Sequence, residues 1–186
     1  MSIQLMTRRF TVAQYNQMNQ AGILTEDDRV ELINGEIIEM SPIGRRHATC
    51  VNRLNFLFSQ LLTKKVIVSV QNPIILNNLS EPQPDIALLK PRVDFYEAGH
   101  PQPEDILLLV EVADSSIEYD RELKIPLYAS SGICEVWLID IYEQLITVYR
   151  YPNANGYSEI KTFRHGDILN IQAFPELTLR VNDVLG

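Results

Sequence analysis

The sequence predicts an α/β fold: a mixed central β-sheet flanked by helices, with an N-terminal helix and β-hairpin before it and extra strands after it. Three stretches carry that expectation. Asn34 and Gly35 stand between two alternating runs, residues 29–33 and 36–40, and supply the positive φ angles of a type I′ hairpin turn. Across residues 47–62 the apolar side chains Val51, Leu54, Phe58, Leu61 and Leu62 return at steps of three and four, as on one helix face. Residues 106–113 are apolar except for Glu111, the pattern of a strand covered on both faces.

The remaining elements follow in order. Thr11 is placed to cap a short helix over residues 12–20, and Gly22 to stop it. Ser41–Pro42 ends the hairpin. Residues 66–70 and 73–76 read as strands rich in β-branched side chains, and residues 86–89 read as another, directly after Pro84–Asp85. Residues 91–105 hold three prolines and a glycine and predict an irregular excursion. A helix is expected from Ser115 or Ser116 to about Ser130, with Pro126 kinking it or beginning its second part and Gly132 ending it. Strands follow at 134–139 and 144–151, then a turn at Asn155–Gly156. The tail, 158–185, alternates in short pieces and should add small strands at the sheet edge. Without an internal repeat, low-complexity tract or linker, residues 1–186 are expected to form one domain.

Composition narrows the function. With 46% hydrophobic and 22% charged residues the chain is ordinary for a soluble domain. No apolar run approaches the roughly 20 residues of a membrane span, and Arg8 and Arg9 have no apolar stretch behind them, so no signal peptide is read and a cytoplasmic location is the expectation. Cys50 and Cys134 belong to no CxxC pair, which argues against a zinc site or disulfide framework; both read as small buried hydrophobes. A net charge of −8 argues against nonspecific coating of nucleic acid. It does not exclude a nuclease, whose carboxylates are offset by a bound cation. There is no GxxxxGK[ST] or GxGxxG to bind a nucleotide cofactor, and no Ser or Cys in the context of a nucleophile triad.

Glu111 breaks an apolar strand where an isolated carboxylate would cost several kcal/mol unless paired or bound to a metal. Asp85 holds a comparable place at the start of the 86–89 strand. Two acids at neighbouring strand ends can converge on one divalent cation, which prefers oxygen ligands. The plainer alternatives are a turn role for Asp85 and an ion pair from Glu111 to Arg121 or Lys124. Lys124 falls on the predicted helix one turn after Asp120. There it is either an exposed ion-pair partner or an ammonium that orients water and stabilises charge on a phosphate.

Pro84–Asp85, Glu111–Val112–Ala113 and the later Lys124 resemble the PD-(D/E)XK nuclease signature. The wider series resembles the restriction-endonuclease-like Uma-two family: residues 30–37, His47 opening a helix, Gln83 to Ala87, Glu111 to Ser116, Asp120, Lys124, Tyr128–Ala129, and Gly132 to Asp140. The resemblance implies a restriction-endonuclease-like core. It also implies a metal-dependent endonuclease that hydrolyses DNA phosphodiester bonds with activated water, using Mg²⁺ or, in its place, Mn²⁺. Asp85, Glu111 and the carbonyl of Val112 would ligate the metal, Lys124 would serve the nucleophile, and Glu31 would add a further acid. Two departures accompany it. Ala113 stands where the standard motif has its lysine, so Lys124 is a displaced replacement, and the segment after Glu111 lacks the family's Ser-Pro. They leave open a second reading, a nuclease fold kept as a nucleic-acid-binding or assembly module without turnover.

Arg45, Arg46 and His47 form a small basic patch that contacts a phosphate or merely solvates a helix start. His100 and His165 read as surface residues, and Trp137 as core. Tyr119 and Tyr128 lie near Lys124, either packing or bonding to the site. Nucleases of this fold often pair to cut two strands, so a homodimer is an expectation for this chain.

Overall fold

The structure, a computed structural model, describes residues 7–25, 27–114 and 116–186. Ser115, one of the two expected helix starts, lies outside them. Thr11 caps α1 (Val12–Gln20) with a reciprocal bond to Gln14, and Gly22 follows at φ +69°. β1 (Val30–Ile33) and β2 (Glu36–Glu39) pair antiparallel around Asn34 and Gly35, whose φ angles of 51° and 82° fit the turn the dipeptide predicts. α2 (Arg45–Leu61) follows, starting two residues earlier than the apolar pattern alone indicates.

Six strands form the central sheet in the order β3 (Ile67–Val70), β4 (Ile86–Leu89), β5 (Ile106–Ala113), β6 (Glu135–Asp140), β7 (Leu145–Asn153), β8 (Gly156–Arg164). β5 and β6 run parallel and the other neighbours antiparallel. The crossover between β5 and β6 is helical: α3 (Ile117–Tyr119), a π-helical turn (Asp120–Lys124) in which the Ile125 N–H reaches the Asp120 carbonyl, and α4 (Ile125–Ser130). Pro126 brings no N–H to the helix and its ring crowds the preceding turn, which accounts for the widened turn just before it.

Alternation along the strands divides the core. Ile86, Leu88, Leu108, Val110, Val112, Trp137 and Ile139 face α2 and the C-terminal elements. Ala87, Leu89, Leu109, Ala113, Val136 and Leu138 face α4 with Tyr128. Glu111 shares the parity of Leu109 and Ala113, so its carboxylate turns toward α4. Trp137 is fully buried, with its ring 6.0 Å from Phe58 and its indole N–H on Glu135.

Three expectations are corrected. Residues 73–76 form no strand: Ile74, Ile75 and Leu76 donate instead to the carbonyls of Pro82, Pro101 and Ser80, in an irregular loop-back. The tail adds only β8 to the main sheet. β9 (Ile168–Ile171) and β10 (Phe174–Arg180) form a separate two-stranded sheet, followed by α5 (Val181–Leu185), and all three pack on the α2 face. Cys50 is buried as expected, but Cys134, just ahead of β6, is exposed. Among the described residues no helix is long and apolar enough to cross a membrane.

A Cβ at Gly35 would fall 2.6 Å from the Cβ of Arg9, and the residue sits at positive φ. Gly35→Ala is therefore expected to destabilise the fold by roughly 1–3 kcal/mol, measured as a lower urea midpoint; an unchanged midpoint would contradict the turn assignment.

Candidate active site

The sheet itself brings the two strand-end acids together. In the β4–β5 ladder Ile86 faces Val110, so one further step in the same register sets Asp85 opposite Glu111 on the same face. Both line a cleft of about 380 Å³, together with Glu31 from β1, His47 from α2, and Asp120 and Lys124 from the π-helical turn.

Lys124 is the centre of the floor. Its ammonium lies 3.2 Å from Glu31, 3.4 Å from Glu111 and 3.9 Å from Asp120, and all four residues are at most 5% exposed. Burial by itself would drive the Lys124 proton off, but Glu111, Glu31 and Asp120 outweigh it and the pKa rises above the ordinary lysine value. The surrounding acids thus favour the ammonium form of Lys124. Burial pushes the Glu111 carboxyl well above its usual range, against the pull of Lys124, and raises Asp120 in the same way.

Each acid is held by further donors. Tyr128, fully buried on α4, donates its hydroxyl to Glu111 Oε1. Tyr119 donates to Glu31 Oε1 at 3.1 Å, and the backbone N–H of Gln83 to Glu31 Oε2 at 3.0 Å. Ser116 donates to Asp120 at 2.7 Å. Asp85 accepts from the Val112 N–H at 2.9 Å and from the Gln71 side-chain amide at 3.0 Å, and His47 Nε2 lies 3.0 Å from Asp85 Oδ1. That bond raises the His47 pKa, against the opposing effect of burial. The other ring nitrogen, Nδ1, is buried without a hydrogen-bond partner among the described residues.

The fold thus gathers Asp85, Glu111, Lys124 and Glu31 in one cleft, with Val112 lining it. The basic trio divides. His47 turns into the cleft, whereas Arg45 and Arg46 line a neighbouring groove and Arg46 donates to the Ile141 carbonyl. Of the two open readings for the tyrosines, both bond to the site. Gln71 escaped the sequence reading and Gln83 entered it only within the matched segment Gln83 to Ala87, without a site role, because neutral amides beside prolines and asparagines look like ordinary turn residues. The positive φ of Gln71, 51°, is visible only in the structure.

Among the described residues no three His, Cys, Asp or Glu side chains converge as a metal cage. The donors toward a cation would be two carboxylates and a carbonyl, a set of hard oxygens. A magnesium ion commonly takes only one or two carboxylates and keeps its waters. The lining also suits a cation, since six acids (Glu31, Glu39, Asp85, Glu111, Asp114 and Asp120) share the cleft with Arg29, His47 and Lys124.

The family described as "Uma2: Putative restriction endonuclease" matches residues 12–182. The crystal structure of a "putative nuclease belonging to DUF820" from Anabaena variabilis ATCC 29413 superposes with a TM-score of 0.73 at 18% identity, over 95% of this chain and 97% of that one. At that identity the likeness speaks for the fold. The type IIG restriction endonuclease BpuSI is similar with a TM-score of 0.44 and 14% identity, over 78% of this chain and 17% of that one, too slight a likeness to carry weight. No curated protein matches the chain. With all but its two ends matched, this chain belongs to the Uma2 family, described as putative restriction endonucleases.

Proposed function

We propose that this chain is a divalent-metal-dependent endonuclease that hydrolyses DNA phosphodiester bonds. The observation that carries the reading is the cleft floor: three buried acidic side chains, Glu31, Glu111 and Asp120, gathered around the buried Lys124 amine. Asp85, Glu111 and the carbonyl of Val112 are the groups that would hold Mg²⁺, with Mn²⁺ as a substitute. When bound, the ion supplies Lewis acidity at a phosphate oxygen and makes water a better nucleophile.

The protein's own residues do the rest. Tyr128 fixes the Glu111 carboxylate and the Val112 N–H fixes Asp85, so neither acid must reorganise during reaction. Lys124, held toward the cleft by Glu31, donates hydrogen bonds to the attacking water or to a phosphate oxygen as negative charge grows there. Glu31, itself fixed by Tyr119 and Gln83, keeps that ammonium in place.

The reading without turnover has one observation in its favour: both Asp85 oxygens already have protein partners in His47, Gln71 and Val112. Supercoiled plasmid incubated with Mg²⁺ or Mn²⁺ separates the two. Nicking or linearisation is expected, reduced by on the order of 100-fold or more in Asp85→Asn and by roughly 100–1,000-fold in Lys124→Met. Intact plasmid with the native protein, or equal cleavage by Asp85→Asn, would favour the silent module.

The buried acids also set a pH dependence. A carboxyl whose folded pKa is raised contributes its full share of stability below its unfolded value and loses it as pH rises through the folded one. Glu111 behaves in this sense. Glu111→Gln keeps the shape of the neutral side chain. Without metal, it is expected to match the native protein's melting temperature near pH 4 and to exceed it increasingly toward pH 8. Parallel curves across that range would show that Glu111 pays no charge penalty.

A further inference from the structure

We propose that the arginine-lined groove beside the cleft seats the phosphates of the DNA strand flanking the bond to be cut, an inference that rests on the nuclease reading above. The groove, of about 430 Å³, is lined by Arg45, Arg46, Thr49 and Arg53 of α2 and, across from them, by Ile141 and Gln144. No carboxylate side chain is among its lining residues, although the whole chain carries a net charge of −8.

α2 is the wall between the two cavities. His47 and the preceding Gly44 line the acidic cleft, while Arg45, Arg46, Thr49 and Arg53 line the groove. Arg45, Thr49 and Arg53 follow one another at four-residue steps and so share a helix face. From Arg45 to Arg53 the helix rises roughly 12 Å, enough to run beside three or four nucleotide steps of about 3.4 Å each. A phosphodiester backbone entering the cleft passes His47 and meets these arginines next.

Arg46 and Arg53 are held by backbone carbonyls, and the Arg53 guanidinium also packs against Gly186. Arg46 donates to the Ile141 carbonyl at 3.2 Å and Arg53 to the carbonyls of Val184 and Leu185. None of the three arginines has a carboxylate within 4 Å among the described residues. A guanidinium has five N–H donors in a fork that suits phosphate, and one or two carbonyl contacts leave the others for a ligand. Thr49 spends its hydroxyl on the Arg45 carbonyl, which leaves the arginines as the groove's anion-binding groups. The division of labour is electrostatic. The acidic cleft repels a phosphate until a cation is present, and the groove attracts its neighbours without one.

The test is fluorescence anisotropy of a labelled DNA duplex with the full chain, in Ca²⁺ in place of Mg²⁺, over a series of KCl concentrations. Arg45 and Arg46 are exposed, so Arg45→Gln/Arg46→Gln should fold, with an unchanged melting temperature as the check. The native protein should bind, and the slope of log K against log[KCl] should become shallower by about 2 in the double variant. An unchanged slope in the double variant, or no binding by the native protein, overturns the proposal. So does displacement of the duplex by inorganic phosphate at constant ionic strength, which would assign the groove to a small free anion. Arginine-dependent binding by a native protein that cuts nothing with Mg²⁺ or Mn²⁺ would instead uphold the groove and remove the nuclease reading.

Discussion

The ammonium of Lys124 is buried against Glu31, Glu111 and Asp120, which arrive from a hairpin, a central strand and a π-helical turn. Leaving any one of these charges in the interior without its partners would cost several kcal/mol, so the cluster constrains how the three elements sit against one another. The hairpin must bring Glu31 over the sheet, β5 must turn Glu111 toward α4, and the crossover must place Lys124 one turn beyond Asp120. Tyr119 and Tyr128 complete the arrangement by donating to the acids that Lys124 alone cannot saturate. Apolar side chains of the same volume are often as stabilising as such a buried charge cluster, or more so.

Charge is segregated across one helix. On one side of α2 lie the acids of the cleft, and on the other the arginines of the groove. An acidic protein that must admit a polyanion needs such a division, because long-range repulsion is screened beyond about 8–10 Å at physiological salt and local fields then decide where a strand settles. His47 stands at the division, bonded to Asp85 on the cleft side and following directly after the two arginines in sequence. The same helix also anchors the core through Leu54 and Phe58, so both cavities are built on a rigid support.

Local chemistry made much of this legible in advance. Asn34–Gly35 specifies its turn by itself, and the steps from Val51 to Leu62 specify a helix because each apolar residue repeats a face. Glu111 is conspicuous in the sequence because an acid inside Leu107–Val112 has no inexpensive explanation, whereas the register that sets Asp85 opposite it is seen only in the β4–β5 pairing. What stayed hidden depends on distant partners. Nothing near residues 73–76 shows that their N–H groups bond to Pro82, Pro101 and Ser80 instead of a strand. The alternation after residue 158 fits an edge strand or a separate sheet equally well, since each needs only one buried face. Arg45, Arg46 and His47 read as one basic patch because consecutive residues are adjacent in sequence, yet on the helix His47 turns into the cleft while Arg45 and Arg46 line the groove.

The central claim is that Asp85 and Glu111, apart in sequence and opposed across β4 and β5, can share one divalent ion beside Lys124. The most direct measurement is anomalous diffraction from crystals soaked in Mn²⁺. The account predicts a single peak in the cleft, within coordination distance of both carboxylates and of the Val112 carbonyl. No peak there, or an ion bound only to acids outside the cleft, would contradict it.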